Sequence, residues 1–270
     1  MLMTLSFEGS GVGLEGGVLA GIRERPSLLL KGLPFSLSLI SILLAHEMGH
    51  YLTCRYYGIQ ATLPYFIPAP TLVGTFGAFI RIRSPIQHRA ALLEVGIAGP
   101  IAGFVVALPV LALSMTQAQY VPIDSEIVRQ GLSLGDPLIF TLFEWMMGAT
   151  PPPGMETYIH PVGFAAWVGF LVTALNLLPV GQLDGGHIAY ALSRRGHRMI
   201  SRVLLLALVP LGFFFWPGWF VWLLLLLVMG IRHPPTIDDS RPLGQRHSIL
   251  GWVALVMFAL CFTPAPVQFG

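Results

Sequence analysis

Residues 33–58 read LPFSLSLISILLAHEMGHYLTCRYYG. Leu33 to Ala45 carry no charge, and the run continues through His46, Glu47 and His50 before Arg55 closes it. About 20 predominantly apolar residues suffice to cross a ~30 Å hydrocarbon layer as a helix, so this stretch reads as a membrane span, about 33–57. Its second half holds three ionisable side chains within five residues. Unpaired polar groups in hydrocarbon cost several kcal/mol each, so those three demand a partner.

The rest of the chain supports that reading. Of its 270 residues 54% are hydrophobic and 10% are charged, against roughly 25% charge in an ordinary soluble domain. Mean hydropathy is +0.73. The expected fold class is an all-α polytopic membrane protein with about six transmembrane helices, near 33–57, 91–115, 161–183, 199–213, 217–231 and 248–263. Val203 to Gly230 is uncharged, and the Pro-Gly pair in residues 213–219 (FFFWPGW) divides it into two short helices with a turn between them. The domain organisation expected is an N-terminal extramembrane segment over 1–32, a core over 33–190, and C-terminal membrane helices over 191–270. The first 32 residues are Gly-rich with mixed charge and lack the apolar core of a signal peptide. Within 33–190 lie a β-rich loop over 58–90 and an outer loop over 116–160.

Fifteen basic against thirteen acidic residues give a net charge of +2, too weak and scattered for a nucleic-acid partner, and no nucleotide partner is expected. Cys54 and Cys261 lie in or beside apolar runs, so neither a disulfide framework nor a Cys-based metal site is inferred. Lys and Arg are retained on the cytoplasmic side of a bilayer, which fixes an orientation. Residues 55–90 hold Arg55, Arg81, Arg83 and Arg89 without an acid, and 185–202 hold Arg194, Arg195, Arg198 and Arg202 without one. The loop 116–160 carries five acids against Arg129 alone and should lie outside. With the helical hairpin, 11 of the 15 basic residues face the cytoplasm. A multi-pass protein of the cell membrane follows, with His46 and His50 toward the cytoplasmic leaflet.

His46-Glu47-Met48-Gly49-His50 is an H-E-x-x-H pattern. On a helix, residues i and i+4 share a face one turn apart, so two imidazoles can grip one Zn²⁺ while Glu47 takes a proton from a water beside it. A catalytic zinc wants a third protein ligand. Residues 176–187 (NLLPVGQLDGGH) offer Asp184 at the end of the third span, where Pro179 and Gly181 should unwind the helix and turn Asp184 inward. His187 is the rival third ligand. Asn176 either hydrogen-bonds a substrate backbone or satisfies the broken helix. Gly99 and Gly103, four apart in the second span, permit close helix approach. Residues 71–83 (TLVGTFGAFIRIR) read as strands in a cytoplasmic or re-entrant loop, with an edge to which an extended substrate could pair. No internal repeat of the kind transporters show is present, which disfavours the alternative of a membrane protein that binds or moves a divalent metal without peptidase activity.

These residues together resemble the site-2 protease family of intramembrane zinc metalloproteases. The resemblance rests on HEMGHYLTCRYYG (46–58), PYFIPAP (64–70), GTFGAFIRIRSP (74–85), AGPIAG (98–103) and NLLPVGQLDGG (176–186), in this order. It implies a three-helix catalytic core in which His46, His50 and Asp184 bind one zinc ion and Glu47 is the base. It also implies a small re-entrant β element and cleavage of a single-span membrane protein within or near its span, in regulated intramembrane proteolysis. The loop 116–160 is too short for the PDZ domain that some relatives carry, and no obvious span precedes residue 33.

Overall fold

The computed structural model describes residues 2–3, 30, 32–69, 74–125, 128 and 132–268. Most of the expected N-terminal segment 1–32, and Thr71 to Val73 of the expected strand region, lie outside the described residues. In chain order the elements are β1 (Leu2–Met3), α1 (Leu33–Tyr56), β2 (Tyr65–Pro68), β3 (Thr75–Phe79), α2 (Arg89–Met115), β4 (Gln119–Pro122), β5 (Leu132–Leu134), α3 (Leu138–Met147), β6 (Met155–Tyr158), α4 (Pro161–Asn176), α5 (Asp184–Leu192), α6 (Arg194–Phe214), α7 (Gly218–Met229), α8 (Gln245–Cys261) and β7 (Val267–Gln268). The protein is mostly helical. Among the described residues two helices, α2 and α6, are long and apolar enough to cross a membrane by length and composition, with mean hydropathies of 2.2 and 1.5.

The centre is a packed trio of α1, α2 and α4. Leu39, Ile42 and Leu43 of α1, Ala107 and Leu111 of α2, and Phe164 to Phe170 of α4 interdigitate with Phe140 of α3 in one buried cluster. A second cluster joins Leu92, Leu93 and Ile97 of α2 to Ile188, Tyr190 and Ala191 of α5 and to Ala254 and Met257 of α8. A third packs the end of α4 against α6 and α7 through Leu208, Trp219 and Leu226. His88, ahead of α2, accepts a hydrogen bond from the Ala91 backbone at 3.1 Å, and so caps the first turn of that helix.

Two sheets decorate the bundle. Strands β4-β6-β1-β5-β7 form one, in that order, in which β1 runs parallel to β6 and antiparallel to β5. Strands β4, β5 and β6 of this sheet come between α2 and α4 in the chain, β1 precedes α1 and β7 follows α8, and Trp167 of α4 donates to the Gly135 carbonyl at 2.9 Å. Among its described residues the segment 116–160, expected as an outer loop, holds strands β4, β5 and β6 and helix α3. The other sheet is the hairpin β2–β3, in register Tyr65↔Phe79 and Phe66↔Ala78. Its first strand lies at 65–68, upstream of the 71–83 stretch in which both strands were expected.

The span expected over 161–183 is not continuous. Helix α4 ends at Asn176, residues 177–183 are irregular, and Asp184 begins a separate nine-residue helix, α5. Pro179 lacks the N–H that continuation requires, and Gly181 takes a left-handed φ of +56° that suits only glycine without strain. The break is closely packed. A Cβ added at Gly185 would stand 2.0 Å from the Leu177 carbonyl oxygen and 2.4 Å from its carbon, both backbone atoms that cannot move aside. Gly185→Ala is expected to destabilise the fold by at least the ~1–3 kcal/mol usual for overpacking. A lowered midpoint of thermal unfolding in detergent would register it; an unchanged midpoint would contradict the packing described.

Candidate metal centre

The H-E-x-x-H turn lies in the middle of α1, with His46, Glu47 and His50 all buried. One helical turn separates the two histidines, so their rings meet edge to face with centroids 4.9 Å apart. Asp184 reaches them from the first turn of α5. Its Oδ2 lies 3.1 Å from His46 Nε2 and 3.3 Å from His50 Nε2, while the two Nε2 atoms are 3.2 Å apart. The residue 134 positions after His50 thus closes a near-equilateral triangle of donors. Being first in its helix, Asp184 also sits where the helix dipole favours negative charge.

The donor chemistry fits a divalent cation. A tetrahedral zinc with bonds of about 2.0–2.1 Å needs donor atoms roughly 3.3 Å apart, close to the triangle observed. The tautomer of His50 agrees. Its Nδ1 lies 2.7 Å from the Val95 carbonyl, which can only accept, so Nδ1 carries the hydrogen and neutral His50 presents a bare lone pair at Nε2. That lone pair, the His46 Nε2 and a carboxylate oxygen converge on one point. With His50 in that tautomer its Nε2 and the Asp184 carboxylate oxygen, 3.3 Å apart, are two acceptors that a cation between them reconciles. The Val95 contact fixes the orientation of the His50 ring, as a carbonyl partner commonly does for histidines that bind metal.

Glu47 stands beside the triangle, with its donor atom and those of His46 and His50 within 4.8 Å of one another. Its carboxyl is met by the backbone of Ile80, the residue after β3, which ties the hairpin to the site. Asn176, the last residue of α4, places Nδ2 3.3 Å from His46 Nε2. His187, the rival third ligand, turns its Nδ1 to His233 Nε2 at 2.6 Å.

Several contributors escape a sequence reading. Gly99 and Gly103 do allow close approach, but what approaches is the site itself. A Cβ on Gly99 would stand 2.1 Å from His50 Nε2, and one on Gly103 would stand 3.1 Å from His46 Cβ. From the other side a Cβ on Gly49 would stand 2.4 Å from the Ala98 carbonyl oxygen, so α1 and α2 touch at backbone distance. The one acid of the second span, Glu94, is held by Tyr57 Oη at 2.5 Å, Arg246 at 3.1 Å and His247 at 3.2 Å. This knot joins the end of α1, α2 and the start of α8 next to Val95. The i+4 spacing of AGPIAG was the only signal for the glycines, and nothing local announced the partners of Glu94.

Comparison with known proteins gives this arrangement its relatives. The chain is 32% identical over 255 residues, 90% of its length, to the "Probable zinc metalloprotease EGY2, chloroplastic" of Oryza sativa subsp. indica. It is 29% identical over 248 residues to the protein of that name from Arabidopsis thaliana, and 29% identical over 238 residues to the "Probable zinc metalloprotease EGY1, chloroplastic" of the same plant. The chain spans 44% of the length of the rice relative and 43% of each Arabidopsis one. Residues 34–216, which run from α1 to the end of α6 and contain His46, Glu47, His50, Asn176 and Asp184, match the model of peptidase family M50, and this chain belongs to that family.

Proposed function

We propose that the chain is a zinc-dependent intramembrane endopeptidase that cleaves a single-span membrane protein within or near its span. The observation that carries this reading is the buried triangle of His46 Nε2, His50 Nε2 and Asp184 Oδ2, with Glu47 beside it and outside it. In the proposal His46, His50 and Asp184 hold the ion. When bound, zinc supplies Lewis acidity toward an attacking water and a scissile carbonyl. Glu47 accepts a proton from that water at its carboxylate and delivers it to the leaving amine nitrogen as the C–N bond breaks. Asn176 Nδ2 donates a hydrogen bond to the substrate backbone at the reacting carbonyl. Helical substrates bury their carbonyls in hydrogen bonds, so local unwinding must precede attack; pairing with the hairpin β2–β3, whose following residue meets Glu47, offers the extended form a template.

The membrane setting is part of the proposal. Helices α6, α7 and α8 present leucines, valines and aromatics outward: Phe214 is 82% exposed and Val228 is 77% exposed. Helices apolar on all faces are stable where lipid covers them. Six spans are proposed, carried by α1, α2, α4, α6, α7 and α8, in a multi-pass protein with the arginine-rich loops and the donor triangle toward the cytoplasmic side. Regulated intramembrane proteolysis is the process such cleavage would serve.

The test uses the purified full chain in detergent with a labelled single-span substrate. Cleavage should stop when a chelator removes zinc and return when zinc is restored in slight excess. Cleavage that continues in a chain shown to be metal-free would overturn the proposal.

A further inference from the structure

Helix α5 carries Asp184 yet is only nine residues long and follows an unwound segment, so something outside it must hold it against α1. Part of the answer is α2, whose Gly96 lets His187 pack so closely that an added Cβ would lie 2.9 Å from His187 Cβ. Helix α8 adds Ala254 and Met257 against Ile188, Tyr190 and Ala191, and residues 230–241, in the connection between α7 and α8, supply polar fastening. These residues lie beyond the 34–216 family match.

This connection is bound to α5 at several points. His233 Nε2 lies 2.6 Å from His187 Nδ1, and the His233 ring stacks on Tyr190 with centroids 4.4 Å apart. Asp239 receives the Tyr190 hydroxyl at 3.2 Å, the Arg194 guanidinium at 2.8 Å and the Thr236 hydroxyl. The other edge is fastened to the approach to α2: Ile237 N–H donates to Ile86 O at 3.2 Å and Asp238 N–H to Gln87 O at 2.8 Å. Arg89, the first residue of α2, bonds the carbonyls of Ala191 at 3.3 Å and Arg241 at 3.2 Å. Residues 230–241 thus form a strap that joins the middle and C-terminal part of α5, at His187 and Tyr190, to the base of α2, the helix that anchors His50.

The strap's polarity is set by its own chemistry. His233 Nδ1 faces the Pro234 carbonyl at 2.5 Å, so that nitrogen carries the hydrogen and Nε2 accepts from His187 Nδ1–H. Burial, opposed by the Pro234 contact and aided by the nearby His197, pulls the His233 imidazole down to about 4, which keeps it neutral and able to accept at neutral pH. The direction of the bond fixes the side chain of His187, one turn from Asp184 on the same helix.

We propose that His233 and Asp239 are positioning residues for the metal centre: the strap they anchor holds α5 in the register that brings Asp184 Oδ2 to the two imidazoles. The inference rests on the proposed zinc reading of the site. It assigns the His187–His233 pair a mechanical role; their nitrogens, at 2.6 Å, are too close together to be two ligands of one tetrahedral ion.

The experiment compares the full-length wild type with His233→Ala and Asp239→Asn, by competition for zinc with a calibrated chelator and by thermal unfolding of the metal-free chains. Outer-shell losses cost on the order of 10- to 100-fold in metal affinity, and a fall of that size is expected for His233→Ala with the metal-free unfolding midpoint close to wild type. His233→Gln, which can still accept at its amide oxygen, should recover part of the affinity, and it carries the test if the alanine variant does not fold. Affinities within twofold of wild type would overturn the strap's role. So would a fall in affinity matched by an equal loss of metal-free stability, because that is the mark of general destabilisation. A wild-type chain that holds no zinc would overturn the parent reading, which distinguishes the two failures.

Discussion

Glu47→Gln is expected to abolish peptide-bond cleavage while leaving zinc in place. The glutamine amide keeps the size and the acceptor oxygen of the carboxylate, so the contact with the Ile80 backbone survives. It has no basicity with which to take a proton from water. General-base assistance is worth about 10²–10⁴-fold, and the same group returns the proton to the amine, so the loss should be at least at the upper end. Zinc should stay because three donors, His46, His50 and Asp184, stand 3.1–3.3 Å from one another without Glu47. Asp184→Ala should behave in the opposite way and lose metal and cleavage together. The measurement pairs elemental analysis for zinc with gel assay of a labelled single-span substrate. If Glu47→Gln cleaved at the wild-type rate, the assigned base would be wrong; if it lost its zinc, Glu47 would have to be counted among the ligands. A chain that moved divalent metal into vesicles equally well with either residue would return attention to the non-enzymatic alternative.

Such a division of labour is legible in part from the amino-acid sequence. A helix of period 3.6 puts residues 46 and 50 on one face whatever surrounds it, and apolar runs mark the helices that carry them. The acid at 184 can be singled out because a proline and glycines precede it at the end of an apolar run. The sequence shows the break but not its form: Pro179 and Gly181 mark an unwound end, whereas the chain restarts a helix at Asp184 itself. The outer segment is opaque for a different reason. Its strands are two to four residues long, and β1, near the start of the chain, pairs with strands at 132–134 and at 158. Pairing over such separations leaves no local periodicity to detect. The strap is invisible likewise, since His233 and Asp239 sit among prolines and charges with no repeat, and their meaning comes only from what lies opposite them. The glycines of AGPIAG are an intermediate case, legible as a close contact between helices and silent about its partner.

That partner makes Gly99→Ala a single methyl aimed straight at a candidate metal ligand. The new Cβ would lie 2.1 Å from His50 Nε2, 2.4 Å from Cδ2 and 2.5 Å from Cε1, against a favourable separation of about 3.5–4.0 Å between nonbonded carbons. One of three things must give. The imidazole can swing away, but its Nδ1–H is held by the Val95 carbonyl, so the swing breaks that bond and carries Nε2 out of the donor triangle. Helix α2 can retreat, but it is sealed against α5 and α8 by Leu92, Leu93 and Ile97, and lifting it opens that core. Or α1 can retreat, which separates His46 and His50 from Asp184. The gain in helix propensity from glycine to alanine, about 1 kcal/mol, offsets none of these geometric losses. Zinc affinity should fall by at least the order of 100-fold seen when the support of a metal ligand is lost, and stability by about 1–3 kcal/mol. Gly103→Ala supplies the comparison: its Cβ would meet His46 Cβ at 3.1 Å and Nδ1 at 3.2 Å, a squeeze of a few tenths of an ångström that leaves Nε2 untouched. Chelator competition on the two variants should therefore rank Gly99→Ala far below Gly103→Ala; equal affinities would mean that α2 does not set the position of His50.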